Sequence, residues 1–424
     1  MIAIVERVEK EIEEMKDDIV EDLINSIRIP TENPPGERYN EMVSFYNRKL
    51  IAFGYSTEVV KLSEDELKKL VRLGKGDRPN LVGVIGRGKL KITFNGHYDV
   101  VPAGKGWRVD PFKGEIVNGK IYGRGSSDMK SGIISQIYAV EVLRRIIRLE
   151  ESFTITQTIV CDEETVGNQN AGTYYLINKG FISRENTDYV VFTEPAGIWR
   201  ILNGHRGALW GFIKVFGRKA HGGFPQLGID AIRKANEILV KYYEEADKLK
   251  SIESNYKIIP EAGKNPSLLI GTLNCGDWMN TVADECTLSF VRRLIPEERI
   301  DDARGKILSV LKEKEEKDKG FRYDYTEHYA VDTIIENTNN ELYNSFSLAI
   351  EEILGVKPEI GISAGTFDMR FTHFANIPSI NYGPGKIELA HSTDEYVDIK
   401  DLLTSIKVIS TALYVLGKKY GVIS

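Results

Sequence analysis

The chain has 424 residues, of which 28% are charged, and its formal net charge is −6. This length exceeds what one hydrophobic core usually supports, so about two domains are expected. The acidic balance offers no basic face for nucleic acid, and no apolar run reaches the roughly 18 to 20 residues of a membrane span. The charged helical pattern at Val5–Asp18 lacks the apolar centre of a signal peptide. We therefore expect a cytoplasmic protein that binds neither nucleic acid nor membrane.

The cysteines are too few and too scattered for a disulfide framework or a thiolate zinc site. They are Cys161, Cys275 and Cys286. We expect all three to be buried, reduced thiols.

Strand and helix patterns alternate in the first half of the chain. A long apolar stripe predicts a helix over Met129–Leu149. Short apolar runs predict strands at Leu81–Ile85, Lys91–Phe94, Phe153–Val160 and Tyr189–Phe192. This alternation is typical of a mainly parallel or mixed α/β sheet flanked by helices.

After Glu194 the pattern changes to that of a small α+β unit. Its predicted strands and helices are Ala208–Phe216, Ile229–Leu249, Ser267–Leu273, Cys286–Arg292 and Ile300–Lys317. Strand and helix alternation then returns with Leu342–Leu354, Ser379–Tyr382 and Leu402–Leu416. We therefore expect a catalytic domain formed by residues 1–202 and 325–424, and an inserted domain with an open sheet at residues 203–324.

Histidines and carboxylates recur in the loops just beyond the predicted strands. They are His97, Asp128, Glu163, Glu164, Glu194 and His391. Each feature alone has a simpler explanation: a His-x-Asp pair is often a loop hydrogen bond, and adjacent glutamates are often a solvated turn. Sites in open α/β sheets form at the carboxyl ends of strands, so we expect these loops to converge.

This set of side chains fits two divalent metal ions. Imidazoles and carboxylates suit zinc, with cobalt or manganese as alternatives. Two ions about 3.5–4 Å apart usually share a carboxylate and a water. One carboxylate would bridge, one histidine and one carboxylate would complete each ion, and one carboxylate would remain to move protons. The pair Glu163 and Glu164 can supply a ligand and a base from one loop.

Five motifs occur together and in one order along nearly the whole chain. They are Gly96–Pro102, Tyr122–Gly132, Asp162–Gly167, Glu194–Pro195 and His391–Glu395. In this combination the chain resembles the co-catalytic metallopeptidase family that contains acetylornithine deacetylase, succinyl-diaminopimelate desuccinylase, aminoacylase and carboxypeptidase G. The resemblance implies one ion held by His97 and Glu194, a second held by Glu164 and His391, and Asp128 as the bridge.

The resemblance also implies roles for residues that hold no metal. Glu163 would be the general base, Asp99 would orient His97, and the Asp128–Met129 peptide bond would be cis. His221 would stabilise the oxyanion, often in the active site of the partner subunit. The residues implied for substrate binding are Asn280, Arg293, Gly365, Thr366 and Arg370.

The implied activity is hydrolysis of the amide bond of N-acyl amino acids, because a glutamate at the position of Glu194 accompanies deacylases and carboxypeptidases among relatives. A metallocarboxypeptidase or dipeptidase, acting on short peptides, is the alternative. A binding protein on an inactive version of this fold should have lost ligands, and all are present here. A di-metal phosphoesterase is less favoured, because Arg293 and Asn280 indicate a carboxylate. The resemblance further implies a homodimer formed through the inserted domain.

Overall fold

A computed structural model describes residues 1–164 and 169–423; Thr165, Val166 and Gly167 of the acidic motif lie outside the described residues. The described helices are α1 (Ile2–Ile27), α2 (Tyr39–Ala52), α3 (Glu64–Leu70), α4 (Lys130–Ile146), α5 (Leu149–Ser152), α6 (Thr173–Asn178), α7 (Ala231–Leu249), α8 (Ile300–Lys317), α9 (Glu341–Leu354), α10 (Met369–Phe374) and α11 (Ile399–Lys419). The described strands are β1 (Ser56–Lys61), β2 (Pro79–Gly86), β3 (Leu90–His97), β4 (Glu115–Val117), β5 (Lys120–Tyr122), β6 (Phe153–Val160), β7 (Tyr189–Phe192), β8 (Arg200–His205), β9 (Ala208–Phe216), β10 (Ile258–Ile259), β11 (Ser267–Cys275), β12 (Glu285–Arg293), β13 (Arg322–Val331), β14 (Ile334–Ile335), β15 (Glu359–Ser363), β16 (Ser379–Asn381) and β17 (Tyr396–Asp398).

The first of two compact units is built on a mixed sheet. It comprises Met1–Gly204, Glu336–Gly361 and Phe367–Ser424. Its strands follow the order β1-β2-β6-β3-β7-β16-β8-β15. The central strands β6, β3, β7 and β16 are mutually parallel, whereas β1, β2 and β8 pair in the antiparallel sense. The predicted fold class, a mixed sheet flanked by helices, is confirmed.

Helix α4 lies in the core of the first unit. It contacts β3, α1 and α11, and nearly all of its residues are buried. Apolar residues on every side of a helix are typical of such a buried position. Among the helices that the structure describes, none is long and apolar enough to cross a membrane.

The second unit is a four-stranded antiparallel sheet with helices packed on one face. It comprises His205–Ile335 and Ile362–Thr366, and its strand order is β11-β12-β9-β13. Alternate residues of the strands, such as Ile213 and Leu288, meet Ile238 of α7 and Ile307 of α8 in one apolar core. The unit also contains the short parallel pair of β10 with the end of β15.

The second unit differs in extent from the expected segment 203–324. Strand β13 continues past residue 324 and pairs along its length with β9. Its alternation of tyrosines with charged or polar residues is a strand signal that the expected boundary overlooked. The unit therefore extends through β13, as far as Ile335.

The expectation of three reduced thiols is wrong for two of them. Cys275 and Cys286 form a disulfide, and they occupy directly opposed positions on β11 and β12. Sequence spacing could not reveal this, because opposition depends on the register of the two strands. Cys161 remains a free, buried thiol, as expected.

Gly132 gives a test of how closely α4 packs on the sheet. A Cβ at this position would lie 1.9 Å from the carbonyl oxygen of Thr193. We expect Gly132→Ala to lower the free energy of unfolding by about 1–3 kcal/mol through overpacking, as measured by urea denaturation. The matched control is Gly305→Ala in α8, where no atom lies within 4 Å of the new Cβ. This control should gain about 0.5–1 kcal/mol, and equal stability of the two variants would contradict the packing.

Candidate functional site

The parallel strands of the first unit bring three of the predicted loops to one edge of the sheet. His97 is the last residue of β3, Glu163 and Glu164 follow β6, and Glu194 follows β7. Because β6, β3 and β7 are neighbours that run in the same direction, their carboxyl ends meet there. Asp128 reaches the same place from the segment before α4.

Asp128 presents its two carboxylate oxygens to two different histidines. Asp128 Oδ1 lies 3.3 Å from His97 Nε2, which is 3.5 Å from Glu194 Oε2. Asp128 Oδ2 lies 3.5 Å from His391 Nε2, which is 2.8 Å from Glu164 Oε2. The side chains thus form two sets that share one carboxylate. The Asp128–Met129 peptide bond is cis, as the resemblance implied.

The chemistry of these donors fits divalent cations. The ligand atoms of His97, Asp128 and Glu164 all lie within 4.8 Å of one another. His97 Nδ1 is 2.9 Å from the carbonyl oxygen of Asp99. That bond makes Nδ1 the protonated nitrogen and leaves Nε2 free for a metal. Imidazole and carboxylate donors without thiolates suit zinc, cobalt and manganese alike.

The site concentrates negative charge in a buried place. Burial raises the pKa of Glu163 well above its usual value, with Glu194 adding to the rise and His97 opposing it. Burial likewise raises the pKa of Glu194 to about 7. Burial lowers the pKa of His97, but the surrounding carboxylates, Glu194 first, outweigh it and raise that pKa well above its usual value. Cations would relieve this repulsion, because opposite charge favours the ionised carboxylates.

Asp99 contacts the ring of His97 most closely through its backbone. Its backbone carbonyl accepts the bond from His97 at 2.9 Å, whereas its carboxylate lies 3.6 Å from the ring. The carboxylate instead accepts the backbone N–H groups of Glu163 at 3.2 Å and Glu164 at 3.1 Å. Asp99 therefore holds the segment Asp162–Glu164, which we call the acidic loop, as well as the histidine.

A buried ion pair beneath the acidic loop was not anticipated from the sequence. Arg78 and Asp162 are both fully buried, with Arg78 Nε 2.6 Å from Asp162 Oδ2. Asn33 donates to Asp162 at 2.9 Å and to Asp99 at 2.8 Å, and Tyr39 donates to Asp162 at 2.8 Å. Asp162 has a positive φ of 59°. Its position next to the glutamate pair was the available signal, but its partners lie far away in sequence.

Two of the predicted residues in the second unit lie on adjoining loops. Both His221 and Asn280 are exposed. His221 Nδ1 accepts the N–H of Gly223 at 2.9 Å, and the carbonyl of Asn280 accepts the N–H of Gly222 at 2.7 Å. The loops therefore hold each other through their backbones, and both side chains stand at the surface of this unit.

Arg293, at the end of β12, is a half-buried cation without a carboxylate partner among the described residues. Its guanidinium lies 4.9 Å from the centre of the Trp210 ring. Its Nη1 is buried and has no hydrogen-bond partner in the described part of the chain, and burial lowers the pKa of Arg293. Such a group is suited to an anionic ligand.

The remaining predicted residues are divided between the units. Gly365 and Thr366 belong to the second unit, and Arg370 belongs to the first. The N–H of Gly365 donates to Ser363 Oγ at 3.1 Å. Arg370 is buried, with Nη1 2.7 Å from the carbonyl of Phe367 and Nη2 3.3 Å from Asp368 Oδ1.

Comparison with known proteins identifies the family. Residues 93–414 match the model of peptidase family M20/M25/M40. The chain belongs to this family. The match spans more than half of the sequence, so the predicted resemblance is confirmed, and with it the prediction of a metal-dependent amidohydrolase or peptidase. The metal, the ligands and the substrate need separate arguments.

Relatives with assigned names support the same family. The chain is 28% identical to a succinyl-diaminopimelate desuccinylase of Thioalkalivibrio sulfidiphilus over 73% of this chain and 80% of that protein. It is 27% identical to an acetylornithine deacetylase of Vibrio campbellii over 93% of this chain and 97% of that protein. Among solved structures, a dipeptidase from Saccharomyces cerevisiae matches with a TM-score of 0.79 and 17% identity, covering 98% of each chain. A metallo-carboxypeptidase from Sulfolobus solfataricus has a TM-score of 0.75 and 20% identity, covering 94% of this chain and 99% of that one. These two structures show the fold alone.

The ion pair beneath the acidic loop should matter for stability. We expect Asp162→Asn to lower the free energy of unfolding by about 3–5 kcal/mol, because it leaves the buried guanidinium of Arg78 without its charge partner. The control is Asp77→Asn, which breaks the exposed pair with Lys61 and should change the free energy by no more than about 1 kcal/mol. Urea denaturation measures both, and similar small effects would refute a structural role for the buried pair.

Proposed function

We propose that this protein hydrolyses the amide bond of N-acyl amino acids with the help of two divalent ions, zinc first and cobalt or manganese as alternatives. The observation that carries the proposal is the pair of Asp128 oxygens, which face two different histidines, each of which lies against its own glutamate. In this assignment His97 and Glu194 hold one ion, Glu164 and His391 hold the other, and Asp128 holds both. Bound ions of this kind polarise a carbonyl and make water more acidic.

Glu163 is the carboxylate that remains after the ligands are assigned, and we propose it as the general base. It takes a proton from the attacking water while the new carbon–oxygen bond forms at the amide carbon. It then delivers that proton to the amine nitrogen as the carbon–nitrogen bond breaks. Its place next to Glu164, at the same edge of the sheet as His97, supports this role, because a general base must lie within reach of the proton that it takes up.

The substrate assignment rests on a cation that has no carboxylate partner in the described part of the chain, and on the names of the relatives. Arg293, with Asn280 beside His221, would bind the free carboxylate that every N-acyl amino acid carries. By the resemblance, Gly365 and Thr366 of the second unit and Arg370 of the first are further candidates for substrate binding. The relatives named desuccinylase and deacetylase favour N-acyl substrates. The structural neighbours named dipeptidase and carboxypeptidase favour short peptides as the second candidate.

A substrate screen distinguishes these activities. The protein, loaded with Zn²⁺, Co²⁺ or Mn²⁺, would be offered N-acetyl amino acids, N-succinyl amino acids and dipeptides. We expect a higher kcat/KM for N-acyl substrates. A preference for dipeptides would favour the second candidate, and hydrolysis of neither class by protein carrying two ions would reject both.

Glu163→Gln tests the base within that screen. The amide cannot take up the proton, so kcat should fall by at least about 100-fold. Metal content by elemental analysis should be unchanged, since no ligand is altered. The control is the same replacement at the exposed Glu58 of β1, which should leave kcat unchanged. A normal kcat in Glu163→Gln would refute the assignment.

We also propose a cytoplasmic homodimer in which His221 completes the active site of the partner subunit. Strand β11 is an edge of the sheet in the second unit, and a bare edge invites pairing with another chain. An oxyanion donor acts mainly in the transition state, so His221→Ala should lower kcat more than it raises KM.

Subunit mixing tests the role in the partner. Mixed dimers of His221→Ala and Glu163→Gln should regain activity, because one of their two sites would have both residues. The control is each variant mixed with itself under the same exchange conditions. Confirmed subunit exchange without recovery would contradict action across the dimer, and a monomer at working concentration would contradict the dimer.

A further inference from the structure

Glu395 is a buried carboxylate outside the two ligand sets. It follows His391 by four residues, directly before β17, and its surface is 0% exposed. Its Oε1 accepts the backbone N–H groups of Ser127 at 2.8 Å and Asp128 at 3.0 Å. Its Oε2 accepts Nη1 of Arg124 at 2.6 Å. One carboxylate therefore fixes both the backbone before α4 and a buried guanidinium.

Arg124 extends this connection to the loop of His391. Its Nη2 donates to the carbonyl of His391 at 3.3 Å. The neighbouring N–H of Gly123 donates to the carbonyl of Glu395 at 2.9 Å. A continuous series of hydrogen bonds thus runs from the backbone of Asp128 to the backbone of His391. The side chains of those two residues face each other at 3.5 Å.

We propose that Glu395 and Arg124 are positioning residues that fix Asp128 relative to His391 and so set the affinity for the ion between them. We call this pair the Glu395–Arg124 clamp. The proposal rests on the proposed function in one respect, that Asp128 and His391 hold an ion. Neither residue of the clamp touches substrate in this scheme, and each acts through the backbone that carries a ligand.

The clamp requires a carboxylate at 395 because the groups bonded to its two oxygens are donors: two backbone N–H groups and the guanidinium of Arg124. A glutamine at 395 has one amide oxygen and one NH₂ group. If the amide oxygen faces Ser127 and Asp128, the NH₂ group faces the guanidinium of Arg124. If the amide oxygen faces Arg124, the NH₂ group faces the two backbone N–H groups. Either orientation opposes donor to donor and breaks one half of the clamp, while the size of the side chain is kept.

Metal titration tests the clamp without relying on activity. The full-length protein, stripped of metal with a chelator, would be titrated with Zn²⁺ alone by calorimetry. Groups that orient metal ligands typically contribute 10–100-fold in affinity. We therefore expect Glu395→Gln to weaken the ion held by His391 and Glu164 by at least about 10-fold. The ion held by His97 and Glu194 should weaken less, because Glu395 holds only the shared Asp128 among the proposed ligands of that ion, whereas the clamp holds the backbones of both Asp128 and His391.

The matched control is Asp394→Asn, the next residue on the same loop. Its carboxylate pairs at 2.7 Å with the exposed Arg108, and both ions should bind as in the unchanged protein. If Glu395→Gln does not fold, as judged by circular dichroism, the Zn²⁺ affinity of Arg124→Gln is measured instead. This replacement removes the hydrogen bond from Arg124 to the carbonyl of His391.

Equal weakening of both ions, or no weakening, would overturn the clamp. Protein that binds two ions but hydrolyses no amide would reject the proposed function and leave the clamp to be decided by the titration. Protein that binds fewer than two ions would reject the clamp and the two-metal function together.

Discussion

The structure depends on the burial of several carboxylates beside two histidines. Asp128, Glu163, Glu164 and Glu194 meet at one edge of the sheet, and two histidines cannot balance their charge. Burial and mutual repulsion disfavour the ionised forms, as the raised pKa of Glu194 shows. Such a cluster is stable in its charged form only when cations share it. Much of the surrounding structure holds these side chains where they could coordinate a cation.

The loops that carry the proposed ligands are all held in the same way. A buried side-chain oxygen from another segment accepts the backbone N–H groups of the loop and leaves the ligand side chains free. Asp99 does this for the glutamate pair, Asn381 does it for Glu194 at 2.8 Å, and Glu395 does it for Asp128. Backbone anchoring of this kind fixes loop position without using the oxygen atoms that a metal needs.

The sequence predicted the apolar parts of the fold and the chemical parts of the site. Strands β6, β7 and β9 have the bounds expected from their apolar runs, and the candidate ligands were found because histidines and carboxylates recur after such strands. Asp99 was expected to orient His97, but its bonds to the glutamate pair and the anchoring roles of Asn381, Glu395 and Arg78 were missed. Arg78 lies 84 residues before Asp162, and a polar residue whose partner is so distant resembles any other polar residue in sequence. The pairing of Cys275 with Cys286 was missed for a related reason, because it depends on strand register.

The two units treat their candidate residues in opposite ways. The first unit buries most of its proposed ligands at strand ends beside the buried helix α4, where small changes in backbone position are resisted. The second unit carries His221 and Asn280 on exposed loops, which are joined by the backbone bond between Gly222 and Asn280 and by the ion pair of Lys219 with Asp277. Metal ligands must keep their separations to within a few tenths of an ångström, whereas residues that meet a substrate must be reachable. Under the proposed function, rigid placement therefore suits the ligands of the first unit, and exposure suits His221 and Asn280 in the second.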